Sequence, residues 1–286
     1  MRVLTLNLWA RSGPYSERER LLRRDFATLA PDLIAFQEVD SGPGDGNQAD
    51  ELLDGLGYEV AYERREQNGD PGIAIASRHP IEDRQATELG HGGPALAARI
   101  RVGEQRLWFC SSVPMSWKPG FEGEREDECV ALDTWLTNLA AGDTVPPILA
   151  GDFDATPDAA SIRFLTGLQS LQGRSTYWID AFAAAGDGSP GYTWSSENPY
   201  VAPFAAAVFA QPEHRRRIDY IFVGSPFRWQ PRIVIRSAAV VMTGGSLVAP
   251  SDHYAVMADV DFDAVALGGG RGMETWTSEA KPWLWR

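Results

Sequence analysis

The stretch that most constrains this chain is Ile148-Leu149-Ala150-Gly151-Asp152-Phe153-Asp154-Ala155-Thr156-Pro157-Asp158. Pro146 to Ala150 is a short apolar run and reads as a buried strand. Gly151 ends it, and Asp152 and Asp154 follow one residue apart. Thr156 offers a hydroxyl N-cap and Pro157 a first helical position, so a helix is expected to start there. Both carboxylates then sit at the carboxyl end of a strand, just ahead of a helix N-terminus, where open α/β sheets place ligands. An acidic loop of capping residues fits the same string, and the rest of the chain decides between the two.

Strand-like and helix-like stretches alternate through the chain. Arg2 to Trp9 reads as a strand. Behind it, a capping box of Ser16 and Glu19 opens a helix with Leu22, Phe26 and Leu29 at helical spacing. Asp32 to Val39 is a second strand, and residues 40–49 form a loop. Glu51 to Leu56 reads as a short helix, and Tyr58 to Tyr62 and Gly72 to Ala76 as strands. Leu96 to Val102 and Arg106 to Val113 pair across Gly103-Glu104, and a helix runs from about Glu124 to Leu139. Beyond the acidic strand come a helix from Asp158 to about Leu165, a helical segment from Tyr177 to Ala184, and a long aromatic loop from Gly191 to Gln211. Arg217 to Val223, Ile233 to Val241 and Ser251 to Phe262 complete the strand pattern. Hairpins interrupt the alternation, which predicts an α/β protein with mixed sheets covered by helices. Residues 1–267 are read as one domain and 268–286 as a Gly-then-Trp-rich tail carrying Trp276, Trp283 and Trp285.

The net charge is −13 and the pI about 4.8, which argues against a broad phosphate-tracking surface for nucleic acid. Clustered carboxylates that hold a divalent cation produce the same imbalance. Cys110 and Cys129 are too few for a disulfide framework or a cysteine-built zinc site, which fits a reducing compartment. No apolar run is long enough to span a bilayer, and the first residues already read as strand, leaving no room for a signal peptide. A cytoplasmic protein without a transmembrane segment is the expectation. His91 and His214 stand in no motif and read as surface residues.

Acidic or amide residues recur at strand ends: Asn7, Glu38, Asp152, Asp154, Asp219 and Asp252, with His253 beside the last. Hard divalent cations take several oxygen ligands at short range, and strand ends gathered by a sheet can supply them. In order along the chain stand Thr5-Leu6-Asn7-Leu8-Trp9, Phe36-Gln37-Glu38, Gly72-Ile73-Ala74-Ile75-Ala76-Ser77, Gly151-Asp152-Phe153-Asp154, Arg217-Ile218-Asp219-Tyr220-Ile221 and Ser251-Asp252-His253. This ordered set resembles the endonuclease/exonuclease/phosphatase (DNase I-like) superfamily over residues 2 to about 262. The resemblance implies a four-layer α/β/β/α sandwich with two mixed β-sheets and a site at one rim. It implies Glu38 as the main ligand of Mg²⁺, or of Mn²⁺ in its place, with Asn7 and Asp252 close by. Asp152 would orient or deprotonate the attacking water, and His253, held by Asp219, would face the scissile phosphate. A carboxylate in that position fixes an imidazole's tautomer and supports its cationic form.

Two positions depart from the family pattern. Asp154 stands where the family has Asn, and Ser111-Ser112-Val113 where it has Thr-His-Leu. The replaced side chains donate hydrogen bonds toward phosphate oxygens, whereas an ionised Asp154 only accepts and Ser112 carries no charge. A lost oxyanion donor costs on the order of 100-fold or more in rate. The leading reading is a Mg²⁺-dependent hydrolase of the phosphodiesterase or phosphatase type, with Asp152, Asp154, Asp219 and His253 as its catalytic set. Its substrate is read as a small-molecule or lipid-derived phosphate ester in preference to nucleic acid. Beside it stand a family member repurposed for other metal-assisted chemistry in a biosynthetic pathway and a catalytically weakened binding protein. Substrate contacts are expected from Ser112, Trp117, Trp194 and Arg217, with Tyr200, Phe204 and Phe209 as further faces for an apolar or aromatic group. Arg215 and Arg216 read as a solvated charge run.

Overall fold

The computed structural model describes residues 1–263 except 43–45, 66–70, 115–117, 230–231 and 246. Its first half runs β1 (Arg2–Asn7), α1 (Tyr15–Leu29), β2 (Leu33–Val39), α2 (Gln48–Leu53), β3 (Glu59–Glu63), β4 (Gly72–Ser77), β5 (Ile81–Glu88), β6 (Pro94–Val102), β7 (Gln105–Ser112) and α3 (Glu122–Leu139). Its second half runs β8 (Ile148–Asp152), α4 (Ala160–Leu165), β9 (Trp178–Asp180), α5 (Ala181–Ala185), β10 (Trp194–Ser195), α6 (Val201–Phe209), β11 (Arg215–Arg216), β12 (Asp219–Gly224), β13 (Arg232–Val241) and β14 (Ala255–Asp263).

Period-two alternation along the strands decides the layering. In β1, Val3 joins one hydrophobic cluster while Leu4 and Leu6 join another. β2 divides in the same way, with Leu33 and Ala35 on one side and Ile34 and Phe36 on the other. In β7 and β8, Leu107, Phe109, Ile148 and Ala150 share the cluster of Val3, and Trp108, Cys110 and Leu149 face a third. The shared cluster is therefore the core between two sheets. Leu22 and Phe26 of α1 cover the outer face of one sheet, and Leu132 and Leu136 of α3 cover the other. The result is the expected four-layer α/β/β/α sandwich with two mixed sheets.

One sheet has the order β13-β14-β1-β2-β4-β3 and the other β5-β6-β7-β8-β12-β9. Pairing is parallel at β1–β2 and at β7–β8, and α1 and α3 are the crossovers that parallel pairing requires. The carboxyl ends of these four strands therefore gather at one rim. β12 and β14 run antiparallel to β8 and β1, so their amino ends reach the same rim.

Several local expectations are corrected. Ser16 lies inside α1, whose N-cap is Pro14 without a side-chain cap, so no capping box forms. The Thr156 hydroxyl donates to Asp158 instead of capping a helix, and α4 begins at Ala160. Tyr177 to Ala184 divides into β9 and α5, because Asp180 caps the helix through the N–H groups of Phe182 and Ala183. Gly191 to Gln211 is not a loop throughout: it holds β10 and the apolar, alanine-rich α6. Strand β5, exposed along most of its length, lacks the apolar alternation that would mark it in the sequence. The tail 268–286 lies outside the described residues. Among those described, no helix is long and apolar enough to cross a membrane.

Candidate active site

Strand parity selects which end residues meet. Asn7 follows Val3 and Thr5 on the inner face of β1, Asp152 follows Ile148 and Ala150 on β8, and Asp219 precedes Ile221 and Val223 on β12. All three reach the gap between the sheets at the rim, and Asp219 lies directly across from Asp152 in the β8–β12 register. Asn7 Nδ2 spans the gap, donating to Asp152 Oδ2 at 3.0 Å and to Glu38 Oε1 at 3.1 Å. Its Oδ1 accepts the Trp9 N–H at 2.9 Å, which fixes the amide's orientation.

Glu38 has the wrong parity for this gap, since Phe36 faces the outer cluster. A bulge between Phe36 and Val39, with φ of 50° at Glu38, turns its carboxylate to the rim. Burial and the charge of Asp252 push that carboxyl up to about 7, against the opposing hydrogen bond from Asn7. Gly151 permits the approach of β8 to β7: a Cβ there would lie 1.9 Å from the Ser112 carbonyl oxygen. Asp152 Oδ1 accepts the N–H of Asp154 at 3.0 Å, and Asp154 itself has φ of 50°. Burial and the charge of Asp152 push the Asp154 carboxyl well above the usual carboxylate range, while Arg216 opposes the shift.

His253 Nδ1–H donates to Asp219 Oδ2 at 3.0 Å and Oδ1 at 3.2 Å. Its Nε2 lies 3.7 Å from Asp152 Oδ2. Burial disfavours charge on the imidazole, but Asp219, Asp152 and Asp252 outweigh it and hold its pKa well above the ordinary histidine value. Burial also pushes the Asp219 carboxyl up to about 6, opposed by the positive charge on His253. Ser251 Oγ donates to the Asn7 carbonyl at 2.7 Å and accepts the His253 N–H at 3.2 Å, tying the segment before β14 to the end of β1.

Arg18 is a residue that the sequence did not mark. It is fully buried, and its guanidinium donates to the carbonyls of Leu8, Ala10, Ser12 and Pro250. One side chain thus clamps the loop after Asn7 to the loop before Asp252. Partners that are backbone carbonyls leave no sequence signature.

Glu38, Asp152, Asp154, Asp252 and His253 line a cavity of about 430 Å³. Much of its remaining wall is aromatic: Trp9, Trp194, Tyr200, Phe204 and Phe209. Trp9 and Tyr200 lie 4.9 Å apart, and Trp194 meets Phe204 and Phe209 edge-on at 6.0 and 6.1 Å. Two expected substrate contacts, Arg217 and Ser112, fall elsewhere. Arg217 is buried, pairs with Asp180 at 2.8 Å and lies over the Tyr220 ring; its neighbour Arg216 lines the cavity instead. Ser112 has the outer parity of Trp108 and Cys110, and its hydroxyl donates to the Pro94 carbonyl at 3.1 Å. Trp117 lies outside the described residues. Of the two histidines read as surface residues, His91 bonds Asp127 at the surface, while His214 stacks on Phe209 at 5.0 Å beside the aromatic wall.

Two groups here could hold a cation. Asp152, Asp219 and His253 bring one ligand atom each within 4.8 Å of one another, but His253 Nδ1 is already given to Asp219. Glu38 and Asp252 offer carboxylate oxygens, which suit a hard divalent ion, and the Asn7 amide beside them turns its Nδ2 to Glu38 and its Oδ1 to the Trp9 N–H. Burial first and the charge of Asp252 second raise the Glu38 carboxyl, and a divalent cation beside both carboxylates would offset the second. The residues present fit Mg²⁺ or Mn²⁺.

A two-sheet sandwich with carboxylates and an Asp–His pair at one rim has the DNase I-like fold. The profile of the Endonuclease/Exonuclease/phosphatase family matches residues 4–253, and the chain belongs to that family. Human (Homo sapiens) Nocturnin is 24% identical over 275 residues, covering 87% of this chain and 58% of that protein. Protein angel of Drosophila melanogaster is 30% identical over 170 residues, covering 54% and 47%. The chain spans about half the length of the curated relatives it matches. The human Nocturnin catalytic domain with bound sulfate anion superposes with a TM-score of 0.69 at 21% identity, covering 92% of this chain and 94% of that one. D. rerio TDP2 complexed with single strand DNA product superposes with a TM-score of 0.68 at 16% identity, covering 91% and 98%. At these identities the structural likeness is one of fold.

Proposed function

We propose that this chain is a divalent-metal-dependent phosphoesterase acting on a small-molecule or lipid-derived phosphate ester. The observation that carries the reading is one cavity that joins the carboxylate and Asp219–His253 rim to an aromatic wall. Asn7, Glu38 and Asp252 are assigned to hold Mg²⁺, or Mn²⁺, which when bound neutralises charge on phosphoryl oxygens. Asp152 is assigned to orient the attacking water and take its proton. Its two oxygens are pinned by Asn7 Nδ2 and the Asp154 N–H, so it is preorganised for that task. His253, kept cationic by its acidic surroundings, presents Nε2 to the phosphoryl oxygens while Asp219 holds Nδ1.

The aromatic wall favours an ester whose leaving or retained group is apolar. The net charge of −13 disfavours a long polyanion. Nucleic acid, the product class bound by D. rerio TDP2, is the competing substrate. The test is a panel of chromogenic phosphodiesters and phosphomonoesters with short and long apolar groups, set against duplex DNA. It is run with Mg²⁺ or Mn²⁺, with chelator, and with His253→Ala. The reading expects metal-dependent cleavage that rises with apolar size and is lost in His253→Ala. Preferential degradation of duplex DNA, or turnover unaffected by chelator, would contradict it.

A further inference from the structure

The Arg215-Arg216-Arg217 run resolves into three different fates. Arg215 pairs with Glu197 at 3.2 Å and Arg217 with Asp180 at 2.8 Å. Among the described residues Arg216 has no carboxylate within salt-bridge distance, although Asp154 is near enough to feel its charge. Its guanidinium donates to the Asp154 backbone carbonyl and lines the cavity. The backbone on which it stands is fixed. Arg216 pairs with Trp194 across the β10–β11 ribbon, and its carbonyl accepts the Thr193 N–H at 2.9 Å. Arg216 therefore sits where the ionisable rim meets the aromatic wall.

The other groups near this point make a cation there purposeful. Four acidic side chains, Glu38, Asp152, Asp154 and Asp252, line the same cavity, and each that is ionised would repel an anion. Ser112 gives its hydroxyl to Pro94 and so offers no donor to an anion in the cavity. A guanidinium presents several N–H groups in a planar fork, so one bond to the Asp154 carbonyl leaves others to engage phosphoryl oxygens. We infer that Arg216 is the donor that binds the substrate's non-reacting phosphoryl oxygens, and that it places the phosphate beside Trp194 so that an attached apolar group lies on the aromatic wall. The inference rests on the phosphoesterase reading and adds to it a residue and a direction of substrate entry.

The experiment is calorimetric titration of inorganic phosphate into the wild type, R216Q, R216K and R215Q in Mg²⁺, with melting temperature and Mg²⁺ affinity measured alongside. R216Q is expected to weaken phosphate binding about 10- to 100-fold, the range for losing charge-assisted hydrogen bonds to an anion. R216K retains the charge without the fork and falls between. R215Q binds as the wild type does, and Mg²⁺ affinity is unchanged in all four. On an accepted ester, R216Q raises KM more than it lowers kcat. Equal phosphate binding by wild type and R216Q overturns the assignment. If R216Q does not fold, wild-type affinity in R216K overturns it equally. A wild type that binds phosphate but cleaves no ester would sink the phosphoesterase reading while leaving Arg216 to be judged by R216Q. A wild type that binds no phosphate would sink both.

Discussion

Replacing Glu38 by Gln keeps the side chain's shape and its acceptor for Asn7 Nδ2 but removes the charge crowded against Asp252. In the folded, metal-free protein this carboxyl is lifted from 4.5 to about 7, by burial first and by Asp252 second. In the unfolded chain it returns to its ordinary value. Between these two pH values the unfolded chain has released the proton and the folded chain still holds it. Wild-type stability therefore falls as pH rises from 4.5 towards 7 and levels off above it. At 1.36 kcal/mol for each tenfold change in proton affinity, the full penalty is about 3 kcal/mol. Solvent at the cavity mouth screens part of it, which leaves a gain of about 1 to 3 kcal/mol for Glu38→Gln at pH 8. Denaturant unfolding in chelator, at pH 4.5 and pH 8, reads this directly. The variant should be the more stable at pH 8 and nearly equal to wild type at pH 4.5. With Mg²⁺ or Mn²⁺ added at pH 8, the wild type should gain stability with metal concentration and the variant should not. A variant no more stable than wild type at pH 8, or one stabilised equally by metal, would refute the reasoning.

Asp219→Asn should lower activity about 100-fold or more and bring the His253 pKa down, because it removes a carboxylate that supports the imidazolium; NMR titration of His253 checks the shift. Asp154→Asn puts an amide donor that does not titrate beside Asp152, and should raise cleavage of a generic phosphodiester about tenfold. Loss of activity there would instead mark Asp154 as a working acid or base. Phe204→Ala, at a half-exposed position on the cavity wall, should raise KM for esters with long apolar groups about tenfold with kcat nearly kept, and should leave small esters unaffected.

Part of the rim follows from a local rule of the sequence. A strand that alternates cleanly, as β1 and β8 do, declares which of its end residues faces inward, so Asn7 and Asp152 follow from the pattern. Glu38 does not follow from parity, and only the motif around it carries the position; the bulge that turns it inward has no marker in the sequence. Neighbouring positions differ in the same way: Ser111, beside Ser112, bonds Gln37 and the Phe36 carbonyl across the sheets, and Arg216, beside Arg217, reaches the cavity. The α6 segment was hidden because Pro203 and the flanking aromatics read as loop, while its helix depends on packing Val201 and Ala205 against Trp194 and Ile218. Arg18 binds backbone carbonyls brought from distant segments, which is information that tertiary structure creates.

The central claim is that one rim holds a divalent cation next to the Asp219–His253 pair. Crystals soaked in Mn²⁺ and examined by anomalous scattering test it most directly. The account predicts a peak about 2.0–2.3 Å from a Glu38 carboxylate oxygen, with Asn7 or Asp252 also within reach, and no such peak in Glu38→Gln. Manganese bound only at acidic groups away from the cavity, with the Glu38 rim empty, would contradict it.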